Sequence, residues 1–203
     1  MRVFLRLGAA VLLIAVSMQA QETKQAIIGE DGPPSERAST RVLYWNQETD
    51  SAAGQLAIDY GRPAWKKDYE DPAKFDAMTK GKVWRMGRDF WTVLDTSLPL
   101  KISGKDVQPG YYYLGLSRSA DGSKWSLAFI DPVKARAARL DAFEMQKTSV
   151  EFEIPMAFEK TSTPAEKLTL SMSYPKETPE KVTLQLAWGN YLLSAPIEVT
   201  LAK

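Results

Sequence analysis

Hydrophobic and polar residues alternate along most of this chain with the period of a β-strand. The alternation recurs in QLAIDY, LPLKIS, KWSLAFI, SVEFEI, KLTLSM, KVTLQL and the closing IEVTL. Because successive side chains of a strand point to opposite faces, each segment predicts a strand with one buried face. Turn sequences such as Asp121-Gly122 and Gly189-Asn190 separate the segments as hairpins require. The pattern predicts an all-β fold, specifically an antiparallel β-sandwich.

Two segments interrupt this alternation and carry helix signals. DPAKFDAMTKG opens with Asp71-Pro72, and DPVKARAARLDAF opens with Asp131-Pro132. Aspartate suits the N-cap of a helix and proline suits its first position, so each segment predicts a short helical insertion. Gly81 is expected to end the first helix.

The beginning of the chain has the layout of a secretory signal. Arg2 and Arg6 precede an apolar stretch from Leu7 to Met18, which is shorter than the roughly 20 apolar residues that span a bilayer. Residues 1–20 are therefore predicted to be a signal peptide, with a retained membrane anchor as the alternative. Cleavage after Ala20 would leave no membrane span and place the protein in the periplasm or outside the cell.

The remaining chain divides into two parts of different character. Residues 21–40 are polar and contain Gly32-Pro33-Pro34, so they are predicted to form a flexible polar leader. Residues 41–203 carry the strand pattern without a second boundary. They are predicted to form a single β-sandwich domain.

Charge and composition narrow the possible partners and compartments. Loss of the two arginines in residues 1–20 changes the formal net charge from +1 to −1, which gives no electrostatic reason to expect nucleic acid as a partner. The absence of cysteine excludes a disulfide framework. Stability must then come from burial of the 44% of residues that are hydrophobic.

The absence of both histidine and cysteine also limits the chemistry. The Ser-His-Asp and Cys-His mechanisms lack their general base, and zinc, copper and haem sites lack their usual ligands. No metal site and no cofactor are therefore predicted. A pair of carboxylates remains a possible catalyst of glycan hydrolysis, and Asp59, Asp89 and Asp95 lie in or beside predicted strands.

The stretch GKVWRMGRDFWT, residues 81–92, combines charges and aromatic rings unusually densely. A strand through Lys82–Met86 would carry apolar groups on both faces, which predicts a central strand covered on each side. A covered Arg85 needs a partner, and Asp59 and Asp89 are the candidates for a structural ion pair that fixes strand register. The alternative is a ligand-binding cluster, since a guanidinium beside tryptophan suits carboxylates, phosphates or sugars.

Several motifs in this chain, taken in order, resemble those of one protein family. The matching residues are Asp59, Tyr60, Arg62 and Pro63; Gly81, Lys82, Val83, Trp84 and Arg85; Gly104, Lys105, Gly110 and Tyr111; and Trp125. Over roughly residues 40 to 203 the chain is similar to the exported bacterial family called domain of unknown function 2911. Asp89-Phe90 replaces an Asn-Glu pair of that family. The resemblance implies fold and export, and it carries no activity to transfer.

These observations favour a binding or interaction module of the cell envelope over an enzyme. The ligand-binding candidates are Tyr60, Arg62, Lys82, Trp84 and Arg85. We expect GKVWR to meet IDYGRP in space, because two charged, aromatic-rich segments can satisfy each other's polar groups. The expected partner is a small molecule, a glycan or an envelope protein. The alternative function is a carboxylate-dependent hydrolase acting on glycans.

Overall fold

The computed structural model describes residues 34–201 and, before them, residues 27, 29 and 32. The predicted signal peptide and most of the predicted leader lie outside the described residues. The strands are β1 (Arg37–Asn46), β2 (Ser51–Gly61), β3 (Lys82–Trp84), β4 (Thr92–Thr96), β5 (Leu100–Ile102), β6 (Lys105–Val107), β7 (Gly110–Arg118), β8 (Trp125–Ile130), β9 (Phe152–Ser173) and β10 (Lys181–Val199). The helices are α1 (Pro72–Thr79) and α2 (Pro132–Ala137), with 3₁₀ helices at Lys67–Glu70 and Ala142–Lys147.

The strands pair antiparallel in the order β1-β2-β4-β7-β8-β9-β10-β5-β6, and β3 pairs with β7. The long strand β9 joins two arms of this sheet. Its residues 152–156 pair with β8 in the first arm, and its residues 157–173 run along β10 in the second. The prediction of an all-β antiparallel fold is confirmed.

The core lies between these two arms. Alternate residues of β2 and of β10 are buried, and they belong to one hydrophobic cluster. The Tyr60 hydroxyl of β2 accepts a hydrogen bond from the Leu170 N–H of β9 at 2.9 Å and donates to the Leu170 carbonyl at 3.3 Å. A core shared by both arms favours the sandwich arrangement that the alternation predicted.

The two predicted helices are present, and both begin as their sequences indicate. The Asp71 carboxylate accepts from the Ala73 N–H at 2.9 Å, and the Asp131 carboxylate accepts from the Val133 N–H at 2.7 Å. Gly81 follows α1 with a φ of 65°, a left-handed conformation that glycine adopts without steric cost. The aspartate-proline openings were therefore sufficient to locate both helices.

The first strand begins earlier than the sequence indicated. The predicted leader extended to residue 40, whereas β1 starts at Arg37 and pairs residues 37–40 with residues 58–61 of β2. Within the described residues β1 pairs only with β2, so it is an edge strand. An edge strand with a solvated face can carry polar residues such as Ser39, which hides it from a hydrophobic pattern.

The stretch after Gly81 is less regular than predicted. The prediction of a central strand through residues 82–86 is wrong: β3 ends at Trp84, and among the described residues it pairs only with β7. Asp89 has a φ of 62°, so the chain turns away from the sheet before β4. The apolar residues that suggested a strand covered on both faces belong in part to a buried loop, in which Met86 is 0% exposed.

Ionisation of Tyr44 should lower the stability of the protein at alkaline pH. Its hydroxyl donates to the Pro179 carbonyl at 2.8 Å, and burial raises its pKa to about 12. A raised pKa means that this contribution is complete below the ordinary value of about 10 and is lost as pH rises towards about 12. Over that interval the wild type should lose about 2 kcal/mol of unfolding free energy through Tyr44. The Tyr44→Phe protein should not show this part of the loss.

Urea unfolding at intervals from pH 8 to pH 12 measures this effect. Part of the alkaline loss should persist in the variant, because burial also raises the pKa of Tyr111, Tyr112 and Tyr191. Equal alkaline losses in the wild type and in Tyr44→Phe would show that the prediction is wrong.

Candidate functional site

A cluster of aromatic side chains joins β3, β10 and the segment between β2 and α1. Trp84 stacks on Trp188 with ring centroids 4.9 Å apart and an interplanar angle of 12°. Trp65 and Tyr69 each lie 5.0 Å from Trp188, and the Trp188 indole N–H donates to the Pro63 carbonyl at 3.0 Å. We call these four aromatic residues the aromatic wall. Because the four rings pack against one another, their positions are fixed before any ligand binds.

One side of the aromatic wall borders a cavity of about 330 Å³, which we call the charged cavity. Tyr69, Trp84, Trp188 and Phe143 supply its aromatic lining. Its charged lining residues are Lys66, Arg85, Arg88 and Asp89. With three cations and one carboxylate, the cavity favours anions.

Arg85 is the most unusual residue of the charged cavity. Its Nη1 atom is buried and has no hydrogen-bond partner among the residues that the structure describes. Its guanidinium carbon lies 3.9 Å from the centroid of the Phe143 ring. Burial lowers the pKa of Arg85, although Asp89 and Asp141 oppose that shift. A buried donor without a partner is costly. The rest of the side chain is only half-buried and lines the charged cavity, so an anion can contact the guanidinium there.

The carboxylates proposed as partners of Arg85 are engaged elsewhere. Asp59 forms a salt bridge with Arg37. Asp89 accepts a hydrogen bond from the Ser35 N–H at 2.6 Å and lies 3.6 Å from the Arg88 Nε atom. Neither carboxylate forms a salt bridge with Arg85, so the predicted structural ion pair is absent. Asp59 lies on the exposed face of β2, whereas its neighbours Ile58 and Tyr60 are buried.

Three of the predicted ligand-binding residues have other roles. Tyr60 bonds to the backbone of β9 as described above, and Arg62 donates to the Leu168 carbonyl at 3.2 Å and to Glu36 at 2.6 Å. The Lys82 ammonium is exposed and donates to the Ala77 carbonyl at 2.6 Å. Within the described chain these three do not line the charged cavity. Trp84 and Arg85 do.

Of the expected meeting of GKVWR with IDYGRP, the charged cavity shows only the ends of the two segments. Pro63 lines the charged cavity beside Trp84 and Arg85. Gly61 packs so tightly against the following loop that a Cβ atom there would lie 2.3 Å from the Arg88 carbonyl oxygen. This close approach holds the loop that carries the lining residue Arg88 against β2.

The acids of this region do not resemble a hydrolytic pair. Hydrogen bonds from Ser35 lower the pKa of Asp89, and Arg88 and Arg85 contribute to the same shift. A general acid needs a raised pKa instead. Asp59 is paired with Arg37, and Asp95 is exposed on β4. These three carboxylates therefore give the hydrolase alternative no support.

Two further properties of the described chain concern metals and membranes. No group of three or more histidine, cysteine, aspartate or glutamate residues in it is placed to hold a metal ion. None of its helices combines the length and the apolar character that crossing a bilayer requires.

Several lining residues escaped the sequence analysis because they come from distant segments. Trp188 continues the alternation of Val182, Leu184 and Leu186, so it reads as core. Phe143 ends the second predicted helical segment, but α2 stops at Ala137 and Phe143 belongs to a separate 3₁₀ helix. Tyr69 lies in the other 3₁₀ helix, which was not predicted. The one available signal was the number of aromatic residues around the two helical insertions.

The fold and the cavity define an antiparallel all-β protein with an anion-suited, aromatic-lined site. Residues 45–197 match the family model described as Protein of unknown function (DUF2911), and the chain belongs to that family. Comparison with curated proteins and with solved structures found no match. That description assigns no activity, so the function has to be argued from the cavity.

Proposed function

We propose that this protein is a binding module of the cell envelope whose charged cavity holds a small anionic ligand. The observation that carries the proposal is the half-buried guanidinium of Arg85, which lines the charged cavity and whose Nη1 atom has no partner among the described residues. A ligand carboxylate or phosphate would accept hydrogen bonds from the accessible part of this guanidinium, which lines the cavity.

The other lining residues support the same ligand chemistry. Lys66 and Arg88 add positive charge, and the stacked Trp84–Trp188 pair offers an apolar surface beside it. A volume of about 330 Å³ lies within the usual range of small-molecule sites. The arrangement therefore suits a small molecule or a sugar unit that carries an acidic group.

The envelope setting rests on the amino-terminal sequence. Arg2, Arg6 and the apolar stretch that follows are typical of a secretory signal. An exported binding module would meet its anionic ligand in the periplasm or outside the cell. Growth of a host strain followed by cell fractionation and intact-mass measurement of the mature protein tests export and cleavage after Ala20.

Arg85→Met should separate binding from folding. Methionine retains the packing on Phe143 but removes the cation, so we expect affinity for inorganic phosphate and glucuronate to fall at least tenfold. The free energy of unfolding should stay the same or rise by about 1 kcal/mol, because the variant no longer buries a donor atom that lacks a partner. Isothermal titration calorimetry and urea unfolding measure the two quantities.

Arg41→Met is the matched control, because Arg41 is exposed on β1 and is not a lining residue of the charged cavity. It removes the same charge and should bind both anions as the wild type does. Equal affinities of the Arg85→Met and Arg41→Met proteins would contradict the proposal. So would glycosidase turnover that is abolished by Asp59→Asn or Asp89→Asn, which would establish the hydrolase alternative.

A further inference from the structure

A second cavity borders three residues of the aromatic wall. Its volume is about 100 Å³, and it shares Tyr69, Trp84 and Trp188 with the charged cavity. We call it the apolar cavity. Since three side chains border both spaces, the two cavities are adjacent.

The apolar cavity offers little to a polar group. Six of its other lining residues are Phe75, Leu116, Trp125, Leu186, Tyr191 and Leu193. The Thr79 hydroxyl, which also borders it, already donates to the Phe75 carbonyl at 2.7 Å and accepts from the Arg118 Nη1 atom at 2.8 Å. This lining therefore favours apolar atoms over polar ones.

We propose that the ligand of this protein is an amphipathic anion, with its acidic group at Arg85 and a short alkyl chain in the apolar cavity. This inference rests on the proposed function of the charged cavity. Charge complementarity places the acidic end, because Lys66, Arg85 and Arg88 all border the charged cavity. The hydrophobic effect places the alkyl end.

The volume of the apolar cavity limits the chain. At about 100 Å³ it is smaller than the roughly 150 Å³ cavity that holds a benzene ring in an engineered protein, so a short alkyl chain fits better than an aromatic ring. Met78 borders this cavity and is 44% exposed, which places the rim of the cavity at the protein surface. An alkyl chain longer than the cavity would emerge there, and its additional methylenes would add less affinity.

A series of straight-chain carboxylates tests this inference. Titration with acetate, butanoate and hexanoate should give affinities that rise about fourfold per methylene until the apolar cavity is full. Hexan-1-ol has the same chain as hexanoate without the charge, and we expect it to bind at least tenfold more weakly. Arg85→Met should lower the affinity for hexanoate at least tenfold and leave that for hexan-1-ol unchanged.

Leu116→Phe tests the location of the chain, because a larger side chain at Leu116 would fill the apolar cavity. The variant should bind acetate as the wild type does and lose the gain with chain length. If the substitution prevents folding, nuclear Overhauser contacts between the hexanoate methyl group and the methyl groups of Leu116 and Leu193 in the wild type decide the matter. Their absence with hexanoate bound would overturn the inference.

The outcomes distinguish the inference from the proposed function. Affinities that depend on Arg85 but not on chain length would overturn the amphipathic ligand and leave anion binding intact. Affinities that rise with chain length but do not change in Arg85→Met would overturn the anion site. If neither carboxylates, phosphate nor glucuronate bind the wild type, both proposals fail.

Discussion

Replacing Trp188 by alanine should lower the free energy of unfolding by about 3–5 kcal/mol, as truncation of a buried aromatic residue does. Trp188 is 8% exposed and contacts Trp65, Tyr69 and Trp84 with ring centroids 4.9–5.0 Å apart. Its removal would also leave the Pro63 carbonyl without the indole donor. Chemical unfolding monitored by circular dichroism measures the loss.

Trp45→Ala provides the matched control for this substitution. Trp45 is 52% exposed on the edge strand β1, so its truncation should cost much less. The Trp188→Ala protein should also lose ligand affinity, because Trp188 borders both the charged and the apolar cavity. A stability change no larger than that of Trp45→Ala would show that the aromatic wall is not a structural element.

Gly61→Ala should lower the free energy of unfolding by about 3 kcal/mol, because the added methyl group would overlap with the backbone of Arg88. The Cβ atom would lie 2.3 Å from the carbonyl oxygen and 2.8 Å from the nitrogen of Arg88. These are main-chain atoms, so a side-chain rotation cannot relieve the contact. The loop that carries Arg88 must move instead, and ligand affinity should fall together with stability.

Gly110→Ala is the control for a glycine in the same sheet. A Cβ atom at Gly110 would meet Tyr112 at 3.4 Å, an ordinary contact distance. Alanine there should change the unfolding free energy by less than about 1 kcal/mol. If both alanine variants have the same stability, the close approach of Gly61 to Arg88 does not constrain the fold.

The fold class was accessible from the sequence because it depends on local patterns. Alternation in segments such as KVTLQL indicates which face of a strand is buried. This prediction does not require knowing which strands pair with it. Asp71-Pro72 and Asp131-Pro132 likewise act within one helical turn, so the two helices were predicted correctly. The absence of histidine and cysteine limited the chemistry without any reference to structure.

The candidate site could be predicted from the sequence only in part. Residue types indicate which chemistry is possible, but not where each side chain points. Of the five predicted ligand-binding residues, Trp84 and Arg85 line the charged cavity. Tyr60 and Arg62 have similar chemistry, but they face β9 and bond to its backbone. The Arg85 ion pair was predicted from the need of a buried charge for a partner, and the fold places Asp59 on another face and Asp89 in a turn.

The sequence by itself determined the antiparallel strands, the two helical insertions and the restricted chemistry of this protein, since each follows from residues close together in the chain. The tertiary structure alone decided that Trp188 of β10 stacks on Trp84 of β3 and that Gly61 lies against Arg88. It also decided that Arg85 lacks a carboxylate partner among the described residues. The physical reason is that a cavity forms where segments distant in the chain pack together, and alternation specifies a buried face without specifying what covers it.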